Sequence, residues 1–147
     1  MVEIAPFIPD DAPQDIAFVH QSWPAYPSEL APIRSEVHRW LAPLRLTANT
    51  EDDIVYAVNE AATNAVEHAY TPGTAGDTVE LTFWTEATAL CIDIVDHGKW
   101  QTPTSPDRTG RGLGIPVMQQ LIDSVLIHYD NNGTEVFLRH LLQPASP

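Results

Sequence analysis

The sequence predicts a two-layer α+β sandwich, with a mixed, mainly antiparallel sheet and helices covering one face. Two observations carry this. Val79, Leu81 and Phe83 alternate with polar neighbours, turn near Ala87, and resume as Leu90, Ile92 and Ile94; a second alternating pair flanks Asp130-Asn131-Asn132-Gly133. Such pairs are hairpins, and hairpins join antiparallel strands. Elsewhere, apolar residues recur at three- and four-residue spacing, the signature of helices with one buried face. The resulting order is strand, helix, helix, hairpin, helix, hairpin. It lacks the alternating units of a doubly wound parallel sheet. A chain of 147 residues suits one domain with one core.

Taken in order, residues 1–15 carry Pro6, Pro9, Pro13, Asp10 and Asp11 and read as an irregular arm before a single domain over 16–142. Ile16 to His20 reads as a short edge strand. Ser28 is placed to cap a helix reaching about Leu44, with Leu30, Ile33, Val37, Trp40, Leu41 and Leu44 on one stripe and Pro32 in the first turn, where proline costs least. Thr50 and Asp53 resemble a capping box, opening a helix that should run to about Tyr70, before Pro72-Gly73. Its core stripe is Ile54, Val58, Ala61 and Ala65. The first hairpin follows, then a polar loop from Gln101 to Thr109. Leu113, Val117, Met118, Leu121 and Ile122 mark a third helix. Val125 to Tyr129 and Thr134 to Leu142 form the second hairpin, and 143–147 is a tail.

Composition narrows the function. Lys and Arg number 7 against 20 acids, a formal charge of −13. That opposes direct binding of a nucleic-acid backbone and favours a partner with a basic face. Cys91 stands alone, so no disulfide forms within this sequence. There is no basic-then-apolar leader pattern and no apolar run of membrane-spanning length, so the expectation is a cytoplasmic protein without membrane contact.

Three short segments carry chemistry. Glu60 and Asn64 lie four residues apart on the second helix and so share a face, with Glu67 and His68 nearby. Taken alone they are compatible with two solvated residues. However, the helix is rich in alanine, which admits close packing, and Asn is a poor helix former at mid-helix. Asp96 ends a strand, where a carboxylate can accept hydrogen bonds from a ligand amine; Asp96-His97-Gly98 is equally a turn signal, and His97 reads as an exposed turn residue. Gly110-Arg111-Gly112-Leu113-Gly114 precedes a helix start, where N–H groups favour phosphate and glycines allow approach. Arg108 and Arg111 suit phosphate oxygens. The spacing is neither a Walker A loop nor a dinucleotide fingerprint. His20, His38, His128 and His140 show no metal-ligand spacing.

In combination, these segments resemble the GHKL ATPase/kinase superfamily. Glu60-Ala61-Ala62-Thr63-Asn64-Ala65-Val66-Glu67-His68-Ala69 looks like its N-box, Asp96-His97-Gly98 like its G1 box, and Gly110 to Gly114 like its G2 box; Thr134 matches its adenine-contacting threonine. Within the superfamily, the form of the N-box and the short lid are similar to the RsbW-type anti-sigma-factor serine kinases. The resemblance implies the Bergerat fold, with ATP and Mg²⁺ as cofactors. Asn64 would hold Mg²⁺, and Glu60 would be the general base for the acceptor serine. Asp96 would accept from the adenine amine, with Gly98 leaving room for the ring and Thr134 supporting it. His68, Arg108, Gly110, Arg111, Gly112, Leu113 and Gly114 would complete the nucleotide site, and 101–109 the lid. The implied partners are a sigma factor, an anti-anti-sigma protein of the STAS type, and a second copy of the chain as a homodimer. One departure is Trp100, where the G1 box often has a second glycine. Two other readings stand beside this one: a binding module that holds its partner without catalysis, and the catalytic domain of a sensor histidine kinase. The latter is disfavoured because no helical hairpin with an acceptor His precedes the N-box.

Overall fold

A computed structural model describes residues 18–69, 77–98, 114–130 and 132–142. Strand β1 (Val19–Pro24) is followed by helix α1 (Leu30–Leu41) and helix α2 (Ala48–Asn64). Then come β2 (Thr78–Glu86), β3 (Ala89–Asp96), α3 (Gly114–Leu121), β4 (Ser124–Asp130) and β5 (Gly133–Leu141). The strands form one five-stranded sheet in the order β1-β2-β3-β5-β4. Every neighbouring pair is antiparallel, which resolves the expected mixture into a wholly antiparallel sheet.

The helices share one face of this sheet. Val79, Leu81 and Phe83 of β2, Leu90, Ile92 and Ile94 of β3, and Val136 and Leu138 of β5 are buried together with Ile33, Val37 and Leu41 of α1 and Ile54, Val58 and Ala61 of α2. A fully buried aliphatic side chain of this size contributes roughly 1.5–3 kcal/mol over its exposed state. Trp40 links the layers, its ring 5.6 Å from Phe83 and 6.1 Å from Trp23. Helix α2 packs against both α1 and α3, so Val55, Ala57 and Ala62 are buried beside the expected stripe. Its alanines are what permit contact on two sides. Arg34 ties α1 to α2 by donating to Asn59 Oδ1 at 2.9 Å.

Three local expectations are corrected. The first strand runs to Pro24 rather than stopping at His20, because residues 19–24 pair in continuous register with Phe83 to Thr78. Pro24 is tolerated because it ends an edge strand. Ser28 caps nothing: it lies inside a 3-10 turn over Pro27–Glu29, and neither Tyr26 nor Glu29 makes a side-chain cap bond. The cap of α2 is Thr47, whose Oγ1 accepts from the Thr50 N–H at 3.2 Å; Thr50 is already helical. A Thr one turn earlier competes for the same orphan N–H groups, and the helix starts there. The helical tract does extend to Ala69, but after Asn64 it widens into a π turn over Ala65–Ala69. The expected arm, the expected loop from Gln101 to Thr109 and the expected tail lie outside the described residues.

The opposite sheet face holds a row of half-exposed aromatics. Phe18 and Phe137 flank Trp84 with centroids 6.1 and 5.9 Å away. Asp93 stands beside them. Its carboxyl is pushed up to about 8, first by burial, then by its hydrogen bond with Glu135 and by the Glu135 charge. Burial likewise raises the Cys91 thiol to about 11, so it is not a thiolate at neutral pH.

Candidate functional site

The site forms where β3 ends, β5 begins and the π turn that extends α2 meets both strands. Asp96 and Thr134 are register partners across β3 and β5. Both continue the helix-facing rows of their strands, so alternation directs them under the helices where the apolar rows stop. They are 5% and 4% exposed. One Asp96 oxygen accepts the Gly98 N–H at 3.0 Å, and the carboxylate also accepts from the Thr134 backbone N–H. Burial raises Asp96 to about 6, opposed by the bond from Gly98, the His97 charge and the bond from Thr134. At neutral pH it is therefore mainly an anion, buried yet held by N–H donors.

Thr134 Oγ1 is buried with no hydrogen-bond partner among the described residues. An unsatisfied buried hydroxyl costs about 1–3 kcal/mol. A buried carboxylate thus lies beside a buried hydroxyl with hydrogen-bonding capacity that the described residues leave unused.

Gly133 permits this close register. A Cβ at this residue would lie 2.1 Å from the Asp96 carbonyl oxygen and 2.9 Å from the His97 Cα, and its φ of +153° is one that L side chains rarely adopt. The backbone of β5 thus presses directly on the turn that carries Asp96. The sequence marked Gly133 as a turn residue only; its second role follows from a register that no local pattern reports.

Glu60 and Asn64 lie on α2, both half-buried, with Asn64 its last residue. The π turn that follows contacts both β3 and β5. It brings residues 65–69 onto the two strands that hold Asp96 and Thr134, and π turns often occur at functional sites. Ala65 is buried and Val66 packs against the core. Gly98 is buried beside Asp96. The backbone of His68 lies in the π turn and that of Gly114 opens α3. Arg108, Gly110, Arg111, Gly112 and Leu113 lie outside the described residues.

Among the described residues no cluster of three metal-ligating side chains occurs. A Mg²⁺ ion keeps several waters and is commonly held by one or two protein oxygens plus phosphate, so a site for it requires no such cluster. The amide oxygen of Asn64 is a hard donor of the required kind.

The model of the histidine kinase-like ATPase domain matches residues 23–140. The chain belongs to that family. Curated relatives of this ATPase family include the serine-protein kinase RsbW of Bacillus licheniformis, 29% identical over 80% of this chain and 81% of the relative. Another is the anti-sigma F factor of Anoxybacillus flavithermus, 31% identical over 74% of this chain and 82% of the relative. Among solved structures, the RsbU and RsbW domains of Rv1364c from Mycobacterium tuberculosis superpose with a TM-score of 0.68 at 22% identity. That match covers 86% of this chain, which spans about a third of the larger structure (32%). The histidine kinase domain of Erythrobacter litoralis EL346 gives a TM-score of 0.56 at 20% identity. Both likenesses show the α+β fold of an ATPase domain. No helix among the described residues is long and apolar enough to cross a membrane.

Proposed function

We propose that this ATPase-family domain is an anti-sigma factor with serine kinase activity. It binds ATP and Mg²⁺, sequesters a sigma factor, and phosphorylates a serine on a STAS-type antagonist. The single observation that supports it most is the buried Asp96–Thr134 pair, whose unpartnered hydroxyl and half-satisfied carboxylate suit the edge of an adenine. The names of the RsbW and anti-sigma F relatives supply the class of partner. Work in the cytoplasm follows from that partner, and a homodimer is part of the same reading.

When bound, ATP and Mg²⁺ supply the transferable phosphoryl group and the charge that offsets it. The chain's own residues do the rest. Asp96 accepts from the adenine amine, while Thr134 Oγ1 gains the partner it lacks. Asn64 offers its amide oxygen to the metal. Glu60, one turn earlier on the same face, takes the proton of the incoming serine hydroxyl. By the family resemblance, the glycines at 110, 112 and 114 and the arginines at 108 and 111 would line the phosphates.

Calorimetric titration with ATP and ADP, with and without Mg²⁺, tests binding. Asp96→Ala should remove most adenine affinity for both nucleotides. Glu60→Ala should keep affinity and lose phosphotransfer to the antagonist, whereas Asn64→Ala should lose the Mg²⁺-dependent gain. Wild-type phosphotransfer by both helix variants would reduce that face to a structural role.

A further inference from the structure

The strand end that carries Asp96 is gripped from the opposite side of the sheet. Residues alternate there, so Asp96 faces the helices and His97 the open face. His97 Nε2 donates to Glu80 Oε2 at 2.6 Å. The other oxygen of Glu80 stands 3.4 Å from His20 Nε2, and His20 Nδ1 lies 2.9 Å from Thr82 Oγ1. Glu80, on β2, therefore bridges β1 to the end of β3. His97 and Glu80 are 62% and 28% exposed, so neither contributes much to the core.

Two further observations give this bridge a consequence. The Gly98 N–H to Asp96 Oδ1 bond closes a turn with His97 at its centre. On the β5 side that turn has no room: a Cβ at Gly133 would already meet Asp96 O and His97 Cα. The turn is thus held between the β5 backbone and Glu80. His97 also sits close enough to Asp96 for its charge to favour the carboxylate.

We propose that His97, held by Glu80, is a positioning residue that fixes the Asp96 carboxylate for the adenine; this rests on the nucleotide reading of the Asp96 site. His97 touches no reacting atom. It acts by holding the turn, and its effect belongs to the adenine end of the ligand, not the phosphate end.

The test is a double-mutant cycle on the full chain, with adenosine, ADP and ATP titrated by calorimetry. Glu80→Ala and His97→Ala should each weaken all three ligands by the same factor, about two- to fivefold. The double variant should lose less than the sum of the two single losses, because the changes share one contact. Glu80→Gln, which keeps an acceptor for the His97 N–H, should recover part of the loss. Thermal midpoints should match the wild type, which a merely structural role would not allow together with lost affinity. Unchanged affinity, additive losses, or losses confined to ATP would overturn the proposal. If wild type binds and Asp96→Ala does not, while these variants bind normally, the positioning role alone fails. If wild type binds none of the three ligands, the nucleotide reading itself fails, and this proposal with it.

Discussion

Gly133→Ala isolates the step from sheet register to ligand site. The added methyl would lie 2.1 Å from the Asp96 carbonyl oxygen, where real contacts stay beyond 3.0 Å, so the two strands must separate by about 1 Å. The nearest atoms are all backbone, Asp96 O and C and His97 Cα, so no side chain can swing aside to absorb the change. The φ of +153° adds strain for any L side chain, of order 1–3 kcal/mol. Stability should therefore fall by about 1–3 kcal/mol, read as a lower urea midpoint with an unchanged slope. Because the displaced backbone belongs to Asp96, its carboxylate moves as well. Losing one well-formed buried hydrogen bond, about 1–3 kcal/mol, corresponds to a loss of ADP affinity of about fivefold to a hundredfold. Both effects should appear together. A variant with wild-type stability and wild-type ADP affinity would refute the claim that the β5 backbone sets the position of Asp96.

The remaining predictions concern charge and capping. Asp93 holds its proton in the fold up to about 8 but releases it near 3.8 when unfolded, so the stability it contributes is fully present below 3.8 and is lost as pH rises towards 8. Asp93→Asn should thus be more stable than wild type at pH 8, by about 1–2 kcal/mol once partial exposure screens the effect, with the difference vanishing near pH 4; equal denaturation midpoints at pH 8 would count against a buried, proton-sharing pair. Asp96 is raised to about 6 by burial, and its anion is the accepting form, so adenosine affinity should hold above pH 7 and fall as pH drops through 6; a flat profile between pH 5 and 8 would contradict this. Thr47→Ala removes the oxygen that accepts from Thr50 N–H and should cost about 1 kcal/mol, whereas Thr50→Ala should cost less by the same thermal unfolding measurement.

Much of the architecture was legible because it depends on local periodicity. The stripe Ile33, Val37, Trp40 and Leu41, and the alternation of Val79, Leu81 and Phe83, each report which side faces a core, whatever that core is. The positions of Glu60, Asn64 and Asp96 were legible for the same reason: helical spacing and a strand end are properties of a few consecutive residues. Cap placement was less so. Thr47 and Thr50 both carry the right side chain, and only the chain's exit from α1 decides which one the helix uses. Nothing in residues 65–69 announces the π turn either, since its widening answers to the strands beneath it.

By itself the sequence determined the elements, their faces and the order of the candidate segments, because burial patterns and turn preferences act over a few residues. Only the tertiary structure decided that Thr134 lies beside Asp96, that Gly133 presses on its turn, that Glu80 reaches His97 across the sheet, and that Asp93 keeps a proton beside Glu135. The physical reason is that register and desolvation are non-local. A carboxylate's charge and a glycine's clearance depend on which distant backbone arrives next to them, and that is set only when the sheet closes.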